Sequence, residues 1–251
     1  MKKLILASSI LAAFVGTVAH AEEAAPAPDH VVAYNVGAVS DYRFRGISQS
    51  RLQPAIFAGV DYTNNPTGLY LGAWTSTIKW VKDLGGNASY EVDIYGGKRG
   101  EVSAVAYDLG VIRYAYPGNK LGSVSGFADS NTTEVYLQLG YGPAYIKYSQ
   151  SLTNFVGNVN SKNSKYIDLG ANIDVKDGYI LNLHYGKQDV AGSTSYDYAD
   201  WKIGVTKDFG FAVGAVAVVG TDALNDAATG YNWGGKFVGK TGALVSLTKS
   251  F

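Results

Sequence analysis

Apolar and polar residues alternate along this chain with a period of two, in segments of about ten residues. The segment 134–141 shows the pattern clearly, because every second residue is apolar: Val135, Leu137, Leu139 and Tyr141. The same alternation recurs at 166–173 and at 200–205. A β-strand presents successive side chains to opposite faces, so each segment predicts a strand with one apolar face and one polar face.

Twelve such segments can be counted. They are predicted at 31–44, 54–62, 69–80, 89–97, 103–116, 132–141, 144–152, 165–174, 179–188, 199–207, 211–221 and 241–251. About ten residues is the length of a tilted membrane strand, and bacterial outer-membrane barrels have an even number of strands. In 69–80 the alternation is ambiguous, since Leu69 and Leu71 compete with Tyr70, Trp74 and Ile78 for the lipid-facing side.

The predicted connections alternate between short and long. Tight turns occupy 64–68, 142–143, 176–178 and 208–210, and longer Gly-, Ser- and Asn-rich segments occupy 118–130, 153–164, 189–197 and 222–240. Outer-membrane barrels have short periplasmic turns and long extracellular loops. We therefore predict an all-β fold, a transmembrane antiparallel β-barrel of about 12 strands, rather than a soluble β-sandwich.

The first 21 residues have the pattern of a secretory signal peptide. Lys2 and Lys3 precede the apolar stretch 4–18, and Ala19-His20-Ala21 has the small-x-small form of a cleavage site. The Ala- and Pro-rich residues 22–30 are interpreted as a flexible linker, and 31–251 as the barrel domain. These features predict export to the bacterial outer membrane.

The last predicted strand ends at the aromatic residue Phe251, with Leu247 and Val245 on the same face. We interpret these three residues as the assembly signal that the barrel-insertion machinery recognises. The expected partners are therefore that machinery, periplasmic chaperones and the outer-membrane lipid. Lys249 departs from the pattern, but near a membrane edge its alkyl stem can lie in the apolar layer while the ammonium reaches water.

Composition excludes several functions. The chain has 21 Lys plus Arg against 21 Asp plus Glu, so there is no basic excess for binding nucleic acid. It has no Cys, and His184 is the only His of the predicted barrel, so we expect no transition-metal site, no cofactor and no enzymatic activity. Residues 234–241 match GxxxxGK[ST], but the ten residues that follow alternate as a strand, which predicts a loop rather than a nucleotide site.

The polar faces of the predicted strands carry most of the candidate chemistry. Nine acidic residues, which include Asp61 and Asp174, face four basic ones. We predict these residues to line the pore: Asp41, Arg43, Arg45, Glu91, Asp93, Asp108, Glu134, Lys147, Asp168, His184, Asp200 and Lys202. The acid excess predicts a mild preference for cations. The alternative is an internal ionic network that fills and stiffens a narrow barrel.

Aromatic residues on the predicted outward faces are expected to form interfacial girdles: Tyr34, Tyr42, Phe44, Trp80, Tyr141, Tyr148, Tyr185 and Trp201. The excess of Tyr, 19 in all, is attributed to these girdles. Arg113 falls on an outward face, where it can snorkel or mark a bulge.

Four short motifs point to a family. Residues 40–49 read SDYRFRGISQ, Asp93-Ile94-Tyr95 is followed by Gly97, and the remaining two motifs are YAYPG at 114–118 and VVGTD at 218–222. With these motifs the chain resembles the TorF family of porins, described only as conserved hypothetical proteins. The resemblance implies an outer-membrane barrel that acts as a channel, and it supplies no substrate and no catalytic residues.

Together these observations predict a passive channel for small polar or charged solutes. Three alternatives remain open: a closed structural or recognition barrel that uses its extracellular loops, a lipid-modifying outer-membrane enzyme, and a soluble periplasmic sandwich.

Overall fold

The computed structural model describes residues 28–251, and almost all regular structure in this part of the chain is β-sheet. Twelve of its strands pair antiparallel into one closed barrel. Around the barrel the order is β1-β16-β13-β12-β11-β10-β9-β8-β7-β6-β5-β4. The twelve-stranded antiparallel barrel predicted from the alternation is therefore confirmed.

The barrel strands are β1 (His30–Val39), β4 (Ala55–Asn64), β5 (Leu69–Thr77), β6 (Tyr90–Val102), β7 (Val105–Ala115), β8 (Thr132–Tyr141), β9 (Ala144–Ser151), β10 (Lys165–Asp174), β11 (Tyr179–Asp189), β12 (Tyr198–Asp208), β13 (Val213–Thr221) and β16 (Gly242–Ser250). Two small hairpins are not part of the barrel sheet: β2 (Arg43–Phe44) with β3 (Ile47–Ser48), and β14 (Asn232–Trp233) with β15 (Lys236–Phe237). One helical turn, α1 (Trp80–Asp83), and two 3₁₀ turns, Leu121–Ser123 and Thr194–Tyr196, complete the regular structure of the described residues.

The seam of the barrel joins the first and last strands. β1 pairs with β16 in a register that sets Asn35 opposite Ser250. Beyond the strand end, the Phe251 amide donates to the Tyr34 carbonyl at 2.9 Å, and the Tyr34 amide donates to the Phe251 carbonyl at 3.2 Å. The last residue thus closes the sheet, and β1 keeps no free edge there.

The two ends of the barrel carry different connections. Five short turns, at 65–68, 103–104, 142–143, 175–178 and 209–212, lie at the end that also holds Asp29 and Phe251. The six long connections of the described chain lie at the other end: 40–54, 78–89, 116–131, 152–164, 190–197 and 222–241. The predicted sorting of short and long connections is present, and the structure adds 40–54 and 78–89, whose first residues the alternation predicts as strand.

The first predicted strand is too long. It ends at Val39 instead of residue 44, and beyond it Arg45 and Gly46, at positive φ angles of 48° and 79°, reverse the chain into the β2–β3 hairpin. The third predicted strand likewise ends at Thr77, before α1, whereas β6 continues to Val102.

The outward face of the barrel is apolar and exposed on all sides. Leu69 and Leu71 are outward and Tyr70 and Trp74 are inward, which resolves the ambiguity in β5. Four of the predicted girdle residues are exposed on this face: Tyr34, Tyr141, Tyr148 and Tyr185. No helix among residues 28–251 is long and apolar enough to cross a membrane.

Three girdle predictions are wrong. Tyr42 and Trp80 are only 2% exposed, and Phe44 packs edge-on against the Tyr114 ring at 5.2 Å between centroids. All three lie in connections that turn into the barrel instead of continuing the outer wall. Attributing the Tyr excess to girdles is also incomplete, since nine of the described tyrosines are buried: Tyr42, Tyr70, Tyr95, Tyr114, Tyr116, Tyr136, Tyr166, Tyr198 and Tyr231.

The predicted signal peptide and most of the predicted linker lie outside the described residues. At the end of the linker, the Pro28 and Asp29 carbonyls accept hydrogen bonds from Asn65 in the first short turn, and His30 already belongs to β1.

Candidate functional site in the barrel interior

The structure places all twelve predicted pore residues inside the barrel. Nine come from the inward faces of strands β6 to β12, and the other three, Asp41, Arg43 and Arg45, come from the connection 40–54. This connection, which we call the inward segment, folds into the barrel, and most of its residues are buried. Asp41, Arg43 and Arg45 had been assigned to the polar face of the first strand and its end, so their place on a separate segment is a correction.

An ion pair holds the inward segment together. Arg43 Nε donates to Asp41 Oδ2 at 2.6 Å, and both side chains are buried. Arg43 Nη1 also donates to the carbonyls of Gly46 and Lys240, each at 2.9 Å, while the Ser48 and Ser50 hydroxyls donate to Asp41 Oδ1. Since every strong acceptor of Asp41 is used locally, this pair stabilises the fold of the segment.

The inward segment reaches across the lumen. Tyr42 donates to Glu91 Oε1 on β6 at 2.6 Å. Arg45 Nη2 donates to Glu134 Oε2 on β8 at 2.6 Å, and Arg45 Nη1 donates to Gln188 Oε1 on β11 at 2.7 Å. The strand opposite β1 in the barrel order is β9, and β8 and β11 lie on either side of it. Arg45 therefore bridges from the β1 side to the far wall.

Two acidic residues lie next to the place where the inward segment crosses the lumen. Glu91 and Asp93 lie on the inward face of β6 and are each 1% exposed. Tyr42 is hydrogen bonded to Glu91, whereas Asp93 Oδ1 is buried without a hydrogen-bond partner. A buried carboxylate oxygen without a donor favours a nearby positive charge.

A second cluster surrounds His184 on β11. His184 Nδ1 lies 2.8 Å from Asp168 Oδ1, and His184 Nε2 lies 2.7 Å from Asp200 Oδ1. Tyr166 donates to the other oxygen of Asp200 at 2.9 Å. Gly186 faces both carboxylate-bearing strands, and a Cβ there would meet the Tyr166 hydroxyl at 2.0 Å, so glycine makes room for the cluster.

This arrangement describes a structural histidine. With a carboxylate at each ring nitrogen, the imidazolium form can donate two hydrogen bonds and offset one of the two negative charges. Neither nitrogen is left to take a proton from a substrate.

Replacing His184 with Gln should therefore destabilise the barrel. One amide cannot reproduce two charge-assisted donors, so Asp168 and Asp200 would face each other in a buried setting. We expect the free energy of unfolding to fall by about 2–4 kcal/mol. Urea unfolding of the refolded protein followed by tryptophan fluorescence measures this, with His30→Gln at the exposed end of β1 as the matched control. Equal effects of the two substitutions would contradict the structural role.

Tyrosine hydroxyls bind two further acids of the interior. Tyr70 donates to Asp108 Oδ1 and Tyr95 donates to Asp61 Oδ1, both at 2.6 Å. The Lys147 ammonium lies 4.1 Å from the centroid of the Tyr136 ring. Alternation alone does not identify these inward tyrosines as partners of carboxylates, because an aromatic residue is expected on the apolar face.

Arg99 is a further inward residue that sequence reasoning missed. It lies 5.2 Å from the Tyr70 ring centroid, and its Nη2 donates to Thr63 Oγ1 at 2.8 Å. The predicted strand ends at residue 97, five residues before the end of β6 and two before Arg99. Extending the alternation from Glu91 and Asp93 would have placed Arg99 on the same inward face.

The interior is most tightly packed near the long connections and opens towards the short turns. Glu91, Glu134 and Asp200 near the long connections are each 1% exposed. Towards the other end Asp61 and Arg99 are half-buried, and the inward residues Asn172 and Asp174 are exposed. The narrowest part therefore coincides with the inward segment.

An ion pair and a hydrogen bond join the long connections to one another beyond the end of the barrel wall. Arg51 Nη1 lies 3.2 Å from Asp83 Oδ1, and Arg51 Nη2 donates to the Gly234 carbonyl at 2.6 Å. Burial raises the pKa of Asp83, although Arg51, Lys79 and Lys236 act in the opposite direction. Gly234 and Gly235, at positive φ, form the turn of the β14–β15 hairpin, and β16 follows, so 234–241 does not have the strand–loop–helix geometry of a phosphate loop.

Outward charges lie near the barrel ends. Arg113 lies at the long-connection end of β7, where its side chain donates to the outward Thr133 Oγ1 at 2.9 Å. This contact explains an outward arginine without a β-bulge. Lys249 lies 5.8 Å from the ring centroid of Phe251 at the opposite end. Val245, Leu247 and Phe251 are all exposed on the outer face of the last strand and its end. Over residues 28–251, no group of three or more His, Asp or Glu side chains is arranged to hold a metal ion.

Residues 23–251 match the sequence model of a family described as "Bacterial protein of unknown function (Gcw_chp)". The chain belongs to the Gcw_chp family. The TorF name suggested by the short motifs is not confirmed. No curated protein matches the Gcw_chp chain in sequence.

The fold of the Gcw_chp chain is that of known porins. The KdgM porin superposes with a TM-score of 0.54 at 8% sequence identity, covering 88% of this chain and 98% of that one. A structure of KdgM in complex with disordered oligogalacturonate gives a TM-score of 0.53 at 9% identity, with the same coverage. The NanC porin gives 0.52 at 8% identity, covering 88% of this chain and 99% of NanC. At these identities the similarity shows the fold alone.

Proposed function

We propose that this Gcw_chp protein is a porin-like passive channel of the bacterial outer membrane for small polar or charged solutes. One observation carries the proposal: a closed barrel that is apolar outside and charged inside is crossed at one level by a chain segment bearing Arg45 and Tyr42.

The outer surface supports a membrane location. Large apolar side chains are exposed on the outward faces of all the barrel strands, whereas a soluble monomer rarely exposes a continuous apolar patch beyond a few hundred Å². A closed barrel satisfies its backbone hydrogen bonds internally, as lipid requires. With residues 1–21 as a signal peptide and Phe251 as an assembly signal, export through chaperones and the insertion machinery follows.

The inner walls differ in a way that favours a passage. The walls formed by β6 to β11 carry the charged and tyrosine clusters. On β13, β16 and β1 several inward residues are small and only half-buried, among them Ala215, Ala217, Ser246 and Ala33. Solutes would therefore pass along this smaller-residue wall, with the charged clusters opposite and the inward segment as the constriction.

The charge of the interior favours cations. The nine predicted acids face five basic side chains, once Arg99 is added to the four predicted ones, together with His184. KdgM is recorded in complex with oligogalacturonate, a chain of carboxylate-bearing sugars. An acid-rich interior would repel such a polyanion, so the solutes proposed here are neutral or cationic.

Removing the charge of the Glu91 and Asp93 pair should lower cation selectivity. We expect Glu91→Gln plus Asp93→Asn to reduce the cation-to-anion permeability ratio about two- to threefold, because the two carboxylates stand at the constriction and one oxygen has no partner. The ratio is measured from reversal potentials in a planar bilayer under a KCl gradient.

The matched control for that pair removes two charges elsewhere. Asp177→Asn plus Asp189→Asn, both at exposed positions, should leave the ratio unchanged. An unchanged ratio in the Glu91 and Asp93 variant would refute the proposed selectivity while leaving conduction itself open to measurement.

A closed recognition barrel is the second candidate. The observation that favours it is the near-complete burial of Glu91, Glu134 and Asp200 beneath the long connections. Single-channel recording of the refolded protein separates the two functions, since a closed barrel gives no current steps. The lipid-modifying enzyme has less support, because both ring nitrogens of the inward His184 are already engaged.

A further inference from the structure

A separate cavity lies beyond the inward segment, where the long connections converge. Each of the six long connections contributes to its lining. Its empty space is about 510 Å³ when the side open to solvent is counted. We call it the aromatic vestibule and define it by six of its rings: Phe44, Trp80, Phe155, Tyr196, Tyr231 and Trp233.

Four of the six vestibule rings form a connected set. The centroids of Trp80 and Trp233 are 5.9 Å apart, those of Tyr231 and Trp233 are 5.6 Å apart, and Tyr196 meets Tyr231 edge-on at 5.5 Å. The first two pairs are tilted by 40° and 44° and the third is edge-on, all at the centroid spacing that aromatic pairs prefer, so a further ring can join them at similar spacing.

The electrostatics of the vestibule disfavour a charged ligand. None of its lining residues within the described chain carries a charged side chain. The Arg45 guanidinium lies 4.7 Å from the ring centroid of Phe44 and 5.4 Å from that of Phe155, so it already uses these two rings for cation–π contact. A cationic ligand would meet the charge of Arg45, and an anion would meet apolar rings and a guanidinium that is already paired with Glu134.

One polar group in the lining is unsatisfied. Trp80 is 2% exposed, and its Nε1 is buried without a hydrogen-bond partner. The other indole of the vestibule is satisfied, since Trp233 Nε1 donates to the Gly230 carbonyl at 3.1 Å, and the Tyr231 hydroxyl donates to the Tyr196 carbonyl at 2.8 Å. Buried polar groups are normally paired, so Trp80 Nε1 calls for an acceptor.

We propose that the aromatic vestibule binds a small uncharged aromatic molecule that carries one hydrogen-bond acceptor. The surrounding rings supply stacking contacts, the enclosed space suits a single ring, and Trp80 Nε1 supplies the donor. A sugar brings several hydroxyls, for which the lining offers few partners besides Gln49 and Asn158. The site lies at the end of the barrel where the long connections converge. A ligand can therefore bind there whether or not the barrel conducts.

Equilibrium dialysis of benzamide against the refolded full chain tests the proposal, with protein-free micelles as the blank. Cyclohexanecarboxamide keeps the same acceptor without the aromatic ring and should bind about fivefold more weakly. Trp233→Leu removes one wall of the vestibule and should weaken benzamide binding about tenfold. Trp201→Leu, the same change on the outer face of β12, should alter binding less than about twofold.

Equal binding of the two amides, tighter binding of glucose than of benzamide, or equal effects of Trp233→Leu and Trp201→Leu would each overturn the assignment. If Trp233→Leu does not fold, Leu84→Trp provides the test. This substitution fills the vestibule from the α1 side and should abolish benzamide binding. Dialysis requires no current, so a barrel that proves closed would refute the proposed channel and leave this result standing.

Discussion

Replacing residues 41–53 with a short Gly/Ser connection is expected to raise single-channel conductance roughly fivefold. The inward segment carries the contacts from Tyr42 to Glu91 and from Arg45 to Glu134 and Gln188, so its removal leaves the lumen without a bridge. Planar-bilayer recording measures the change. Because the barrel strands pair among themselves, the twelve-stranded wall does not depend on the segment for its hydrogen bonds.

A single substitution gives a milder form of the same experiment. Arg45→Ala releases the far end of the segment and leaves Glu134 without its ion-pair partner, so conductance should rise about twofold and cation preference should increase. Arg113→Ala, on the outer face, is the matched control and should change neither. Wild-type conductance in both the excised and the Arg45→Ala proteins would show that the segment does not form the constriction.

Placing a charge in the middle of the outer wall is expected to prevent stable insertion. Ile203 is outward and 55% exposed near the centre of β12. Ile203→Lys should lower the free energy of unfolding in lipid vesicles by about 2–4 kcal/mol, the cost of a basic residue at the bilayer midplane. Urea unfolding in vesicles and the electrophoretic shift of the folded barrel on unheated gels both report the loss.

The control for this substitution uses the opposite face of the neighbouring strand. Ala215 is inward on β13, so Ala215→Lys puts the same charge into the barrel interior, where it meets an acid-rich lumen. Its effect on stability should be less than half that of Ile203→Lys. A larger loss of stability for Ala215→Lys than for Ile203→Lys would mean that the outer face does not lie in lipid.

Residue alternation was sufficient for the wall of the barrel. The alternation of Val135, Leu137 and Leu139 with Glu134, Tyr136 and Gln138 identified both the strand and its two faces, because side chains of a strand alternate regardless of what surrounds it. The same rule placed Asp168, His184 and Asp200 on inward faces, and pairing of neighbouring strands then brought them together.

The rule failed where alternation continued past the end of a strand. Tyr42 and Phe44 keep the spacing of outward residues, yet the wall strand ends at Val39 and both residues lie in the inward segment. Trp80 has the parity of the inward residues Tyr70 and Trp74 of β5 and is buried beside α1, so its place in the girdle was lost with the other face of that ambiguous segment. The most specific motif, residues 40–49, proved to be most of the inward segment, which the motif alone could not indicate.

The sequence by itself determined the number of strands, their two faces, the separation of short from long connections and the acid excess of the interior. These are local properties, set by the period of a strand and by the residues that turns require. Only the tertiary structure decided that the inward segment crosses the lumen, that Arg45 meets Glu134 and Gln188, and that six connections enclose an aromatic vestibule. Those contacts join residues far apart in the chain, and closure of the barrel alone brings them within reach.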